Sequence, residues 1–114
     1  EMSAFSVAAT AQASEIDKGI KRVILVLTGT ASYDTNGSTA AFTAHFDSKV
    51  FGMRVLGVTA HGGARYVLSL VPAASYGLSP TIKVLDLAAG TPGSEASSTA
   101  DLSGQSWTIE VVGR

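Results

Sequence analysis

The sequence predicts an all-β fold, a single-domain antiparallel β-sandwich or barrel of about seven short strands. Three observations carry this expectation. Within Lys21–Thr30, Val23-Ile24-Leu25-Val26-Leu27 is an unbroken apolar run rich in branched side chains and short enough for one strand. Apolar and polar residues alternate in several other short segments, most cleanly in Ser106–Val112. No segment carries a sustained helical stripe, whereas Gly, Asn and Pro punctuate the chain at strand-length intervals. A jelly-roll or another Greek key fits this pattern equally well.

In chain order, Ala4–Thr10 sets Phe5, Val7 and Ala9 on one side, as an edge strand or an arm that leaves the domain. Residues 1–19 are therefore assigned to an N-terminal arm and turn, and 20–114 to the sandwich. Ser14–Gly19 gathers charge and a glycine, which predicts a turn. The Val23–Leu27 run reads as a strand covered on both faces. Asn36-Gly37 is a strong hairpin signal because both residues accept positive φ. Ser38–Phe46 follows as a strand, with Phe42, Ala44 and Phe46 sharing a face.

Met53–Ala60 is the next strand, and Gly57 within it marks a bulge or a close backbone approach. His61-Gly62-Gly63-Ala64 reads as a tight turn, after which Arg65–Val71 sets Tyr66, Leu68 and Leu70 on one face. Pro72 ends that strand because it has no N–H for a ladder. Ala73–Pro80 is a surface loop holding Tyr76. In Thr81–Leu87 the alternation slips after Val84, which predicts a second bulge. Ala89–Gly104 lacks any period and is long for a loop in so small a domain. The closing strand points Trp107, Ile109 and Val111 inward.

Composition narrows the function classes. A chain of 114 residues makes one domain, with a core that needs no metal or disulfide staple. A net charge of −1 with 15% charged residues gives no basic stripe for nucleic acid. The absence of cysteine excludes thiol catalysis, disulfides and Cys-ligated zinc. No apolar run approaches the ~18–20 residues that a membrane-spanning helix needs. A surface of Ala, Ser, Thr and Gly with so few charges has weak colloidal repulsion, and suits a protein packed against others.

Motifs with chemistry are weak. His61-Gly62-Gly63 has the look of an oxyanion turn, but no G-x-S-x-G elbow accompanies it, so no hydrolase is expected. Gly57 to Gly62 has P-loop spacing without the Lys-Ser/Thr that a phosphate site requires. His45 and His61 are the only histidines, so zinc would need a further N or S donor or carboxylates such as Asp34 and Asp47, and the two histidines read as surface or turn residues. Asp34, Asn36 and Asp47 lack EF-hand spacing and read as turn residues. Asn36-Gly37-Ser38 matches the N-glycosylation pattern, yet the turn already explains it. Asp17–Lys18 and Lys83–Asp86 read as solvated charges. Tyr33, Tyr66, Tyr76 and Trp107 could line a sugar-binding face, although Tyr66 and Trp107 sit at inward strand positions. No catalytic, cofactor or metal residue is assigned.

Leu27–Ser38 and Val55–Gly62 resemble segments of small structural proteins of tailed bacteriophages. The likeness continues through Arg65–Leu68, Thr81–Leu87 and Ser98–Thr108, and spans roughly residues 20 to 114. It implies a virion component of the capsid decoration or cement type, with no enzymatic activity and no cofactor. The implied partners are the major capsid protein and further copies of the chain, as trimers. The implied location is the capsid surface, after assembly in the bacterial host cytoplasm. A receptor- or carbohydrate-binding sandwich of a tail or fibre is the alternative. Phe5 and Val7 in the arm, Tyr33, Asp34 and Asn36 in the turn, and Tyr76 in its loop are the expected partner-facing residues.

Overall fold

The computed structural model describes residues 4–58, 66–87, 94–96 and 100–114. They form an all-β domain of nine strands: β1 Ser6–Val7, β2 Ala13–Asp17, β3 Ile20–Thr28, β4 Ser38–Thr39, β5 Val50–Val58, β6 Tyr66–Val71, β7 Thr81–Asp86, β8 Ser94–Glu95 and β9 Ser106–Gly113. The larger sheet runs β1-β3-β9-β5, with β2 beside β3, and the smaller runs β4-β7-β6, with β8 beside β7. Every strand pair within the two sheets is antiparallel.

Core side chains alternate along three strands. Val23, Leu25 and Leu27 of β3 lie across from Val111, Ile109 and Trp107 of β9, and all six are buried. Ile82 and Val84 of β7 face them from the smaller sheet, and Tyr33, Phe42, Phe46 and Leu102 complete the cluster from connecting segments. The other face of β3 is half-buried rather than covered, contrary to the two-sided expectation. Ile24 there lies beside Arg22 and Glu110, whose long polar side chains shade it while staying wet. In an antiparallel sheet one solvated face is ordinary.

Of the two readings of the N-terminal segment, edge strand or arm, the structure has edge strands over residues 4–17. Phe5 is 4% exposed, with its ring 6.4 Å from that of Trp107. Val7 pairs with Leu27. Residues expected to turn instead build β2, whose partner is β3 from Ala13↔Ile24 to Asp17↔Ile20. The turn is only Lys18-Gly19, at φ 53° and 81°. Two positive φ values match the right-handed strand twist and close a two-residue hairpin. Between β1 and β2 the chain loops out, held by Ala8 N–H to Val26 O and Gln12 N–H to Ile24 O.

Asn36-Gly37 does turn, with Gly37 N–H donating to Asp34 O at 2.9 Å, but it joins no hairpin. The chain there crosses from β3 in one sheet to β4 in the other. The expected strand Ser38–Phe46 shrinks to Ser38–Thr39. Beyond it, the N–H groups of His45 and Phe46 both donate to Phe42 O, winding one tight turn. A four-residue spacing fits a strand face and a helical turn equally, so Phe42 and Phe46 are buried either way. Ala44 is exposed and His45 buried, the reverse of the strand alternation.

Of the two readings of Gly57 the structure has the bulge, with a register shift between Val55 and Gly57. It does not have the close approach, since a Cβ there would meet nothing within 4 Å among the described residues. The second predicted bulge is absent: β7 pairs with β6 without interruption from Thr81 to Asp86. Asp86 takes the inward position that the apolar pattern would give Leu87, and is buried rather than solvated. Part of the long loop forms β8, which pairs Glu95 with Leu85. The expected turn at 61–64 lies outside the described residues. Leu102 crosses over the end of β3 so closely that a Cβ on Gly29 would overlap its backbone.

Candidate interaction surface

The six residues expected to face a partner divide sharply. Phe5 and Tyr33 are buried in this chain's own core and cannot reach another molecule without unfolding it. Val7 is half-buried on β1. Tyr33 and Asn36 do come together, but on Glu95 of β8, while Asp34 between them is tied to Ser38. The Tyr33 hydroxyl donates to Glu95 Oε2 at 2.6 Å and accepts from Val84 N–H at 3.0 Å. The exposed Asn36 contributes its backbone N–H to the same carboxylate oxygen at 2.5 Å. Ser38 Oγ accepts from Asp34 N–H. Burial, then the bond to Glu95, pushes the Tyr33 hydroxyl well above its ordinary value. The cluster thus pins a turn to β7 and β8, which is a structural task.

Tyr76 does reach the surface, 48% exposed. It ends a short turn, Ala74–Tyr76, in which Ser75 and Tyr76 both sit at positive φ. Its ring meets Phe51 edge-on at 5.7 Å, and Lys49 Nζ donates to Ser75 O at 2.9 Å. Of the aromatics weighed for a sugar platform, Trp107 and Tyr33 are buried and Tyr66 half-buried, which leaves Tyr76 alone among them in the open.

His45 is a buried strut. Its Nε2–H donates to Ala8 O at 2.6 Å, and its own carbonyl accepts from Lys21 Nζ at 2.7 Å. These bonds hold the N-terminal segment to the far end of β3. Among the described residues no three His, Asp or Glu side chains converge on a metal position.

The exposed apolar surface lies where sequence reasoning did not look. Val55 pairs with Ile109 and Val58 with Trp107, so both share the inward face of the larger sheet. Their neighbours on β9 are buried, yet Val55 is 38% and Val58 42% exposed. The two sheets part at this side, leaving a groove of about 560 Å³ lined by Met53, Val55, Val58, Tyr66, Val67 and Leu68 among others. At the opposite side of the sheet β2 is exposed throughout and carries Ile16, a large apolar residue. Alternation assigned each side chain a face, but only the strand order shows which faces end at an open edge.

Comparison with known proteins finds no matching family model, no matching curated protein and no matching solved structure.

Proposed function

We propose that the chain is a structural protein of a virion, a decoration or cement subunit that binds the major capsid protein on the outer surface of a phage head as a homo-oligomer. The observation that carries the protein-binding part is the open seam between β5 and β6. Inward-facing Val55 and Val58 are left half in water there, beside the exposed Val67. Apolar side chains on an unpaired strand edge are a liability for a free monomer and an asset for one that is covered in use. The low charge of the chain points the same way. The virion and head assignments rest on the resemblance of its turn and strand segments to phage structural proteins.

The binding-module alternative loses ground because its aromatic platform is spent on the core, with only Tyr76 in the open among the residues weighed for it. The test is quantitative mass spectrometry of virions from a phage that encodes this sequence. A copy number comparable to that of the major capsid protein supports the head reading. A count matching tail proteins moves it to the tail or fibre, and absence from the particle overturns it.

A further inference from the structure

We propose that copies of this chain join head to tail, the β2 edge of one copy adding as a strand to the β5 edge of the next. This takes up only the homo-oligomer part of the reading above and names the edges that meet; it makes no use of the virion assignment. β2 and β5 lie on opposite sides of the larger sheet. Among the described residues each is paired on one side only, β2 to β3 and β5 to β9.

The faces of the two edges agree. Ile16 pairs with Lys21 and Ser14 with Val23, so Ile16 shares the inward face of β3 with Val23 and Leu25. Met53 pairs with Val111 and Val55 with Ile109, which puts them on that same face at the other edge. Ile16 is nonetheless 69% exposed, because the smaller sheet covers neither edge. Joining the edges would continue one sheet and one apolar face across two copies.

Charge agrees as well. Register shifts at Val50/Gly52 and Val55/Gly57 leave Gly52–Val55 as the regular stretch of β5. Laid antiparallel along it, Ser14–Asp17 sets Ile16 opposite Met53, where it closes the mouth of the groove. The same register sets Glu15 opposite Arg54 on the outer face. The Arg54 side chain is 69% exposed and gives its Nε–H to Glu110 in an ion pair of 2.9 Å. A second carboxylate beside it would complete an acid–Arg–acid arrangement. Bulges at both ends restrict the edge to one short partner strand, so indiscriminate pairing is discouraged. Strand addition supplies main-chain hydrogen bonds, and the paired side chains fix the register. Because two different edges meet, the contact is heterologous and does not close at two copies.

The experiment uses the whole chain. Light scattering on the wild type should give a mass above two copies, and Ile16→Asp should give a monomer with an unchanged circular dichroism spectrum. Glu15→Lys and Arg54→Glu should each weaken association about tenfold at low salt, and the double exchange should restore it. Since the chain has no cysteine, Glu15→Cys combined with Arg54→Cys should give covalent multimers on oxidation, while either single variant should give no ladder. A monomeric wild type overturns both this proposal and the homo-oligomer reading. An oligomer that ignores Ile16→Asp, or stops at two copies, overturns the edge pairing and leaves that reading standing.

Discussion

The two sides of this sandwich were built from the same kinds of residue and came out opposite. On one side the N-terminal strand closes the gap: Phe5 N–H donates to Thr39 O, and a single parallel bridge from Phe5 to Ala40 ties the larger sheet to the smaller. The Phe5 ring fills the space above Trp107. On the other side β5 and β6 carry apolar side chains of similar character, but no described strand lies between them. One extra strand of two residues therefore separates a sealed core from an open groove. Apolar character did not decide which residues became core; the presence of a neighbouring strand did.

Substitutions can break this contrast. The largest effect belongs to the part both sides share. Leu25→Asp puts a charge among Val23, Leu27 and Ile109 with no partner, and the domain should lose its cooperative unfolding transition altogether. Phe5→Ala tests the sealed side and should cost about 3–4 kcal/mol in urea denaturation, with no change in m-value if only packing is lost. A cost below about 1 kcal/mol would mean that the seal is not part of the cooperative core.

Tyr33→Phe removes the hydroxyl that serves both Glu95 and Val84, and should cost about 1–3 kcal/mol. It also carries a pH signature. Because the folded state holds the phenol proton more tightly than the ordinary value of 10.0, its stabilising contribution is complete below that pH and falls above it. The wild type should therefore lose stability faster than Tyr33→Phe as pH rises past 10.0, read from thermal midpoints across an alkaline series. The smallest effect belongs to the open side. Val58→Thr should change monomer stability by no more than about 0.5 kcal/mol, because its side chain is already half in water. A loss near that of Phe5→Ala would show the groove to be filled and the two sides to be alike.

Much of the fold was legible because strand periodicity is local. Tyr66–Leu70 and Trp107–Val111 alternate in the sequence and in the structure, the unbroken run Val23–Leu27 is a strand, and a register shift falls at Gly57. Errors arose where two local signals were degenerate. Phe42 and Phe46 suit either period, and Ser14–Gly19 looked like a turn because only its last two residues are one. Asp86 misled because a buried carboxylate occupied an apolar slot. The candidate surface was harder still. Whether Val55 is core or edge depends on strand order, and Tyr33 became a strut because residue 95, sixty-two positions away, met its hydroxyl. Neither fact has a local signature.

The position of β9 has a consequence for how the protein is made. It pairs with β3 on one side and β5 on the other, and so forms the middle of the larger sheet. It also leaves the ribosome after the other eight described strands. Until then β3 and β5 have no common partner, and the apolar run Val23–Leu27 waits without Trp107, Ile109 and Val111 to cover it. The larger sheet cannot assemble until β9 has been made, and it then needs pairings of high sequence separation that are slow to find. A nascent chain stalled before Ser106 should be held by chaperones or lost to aggregation, because the strand that joins β3 to β5 is still missing.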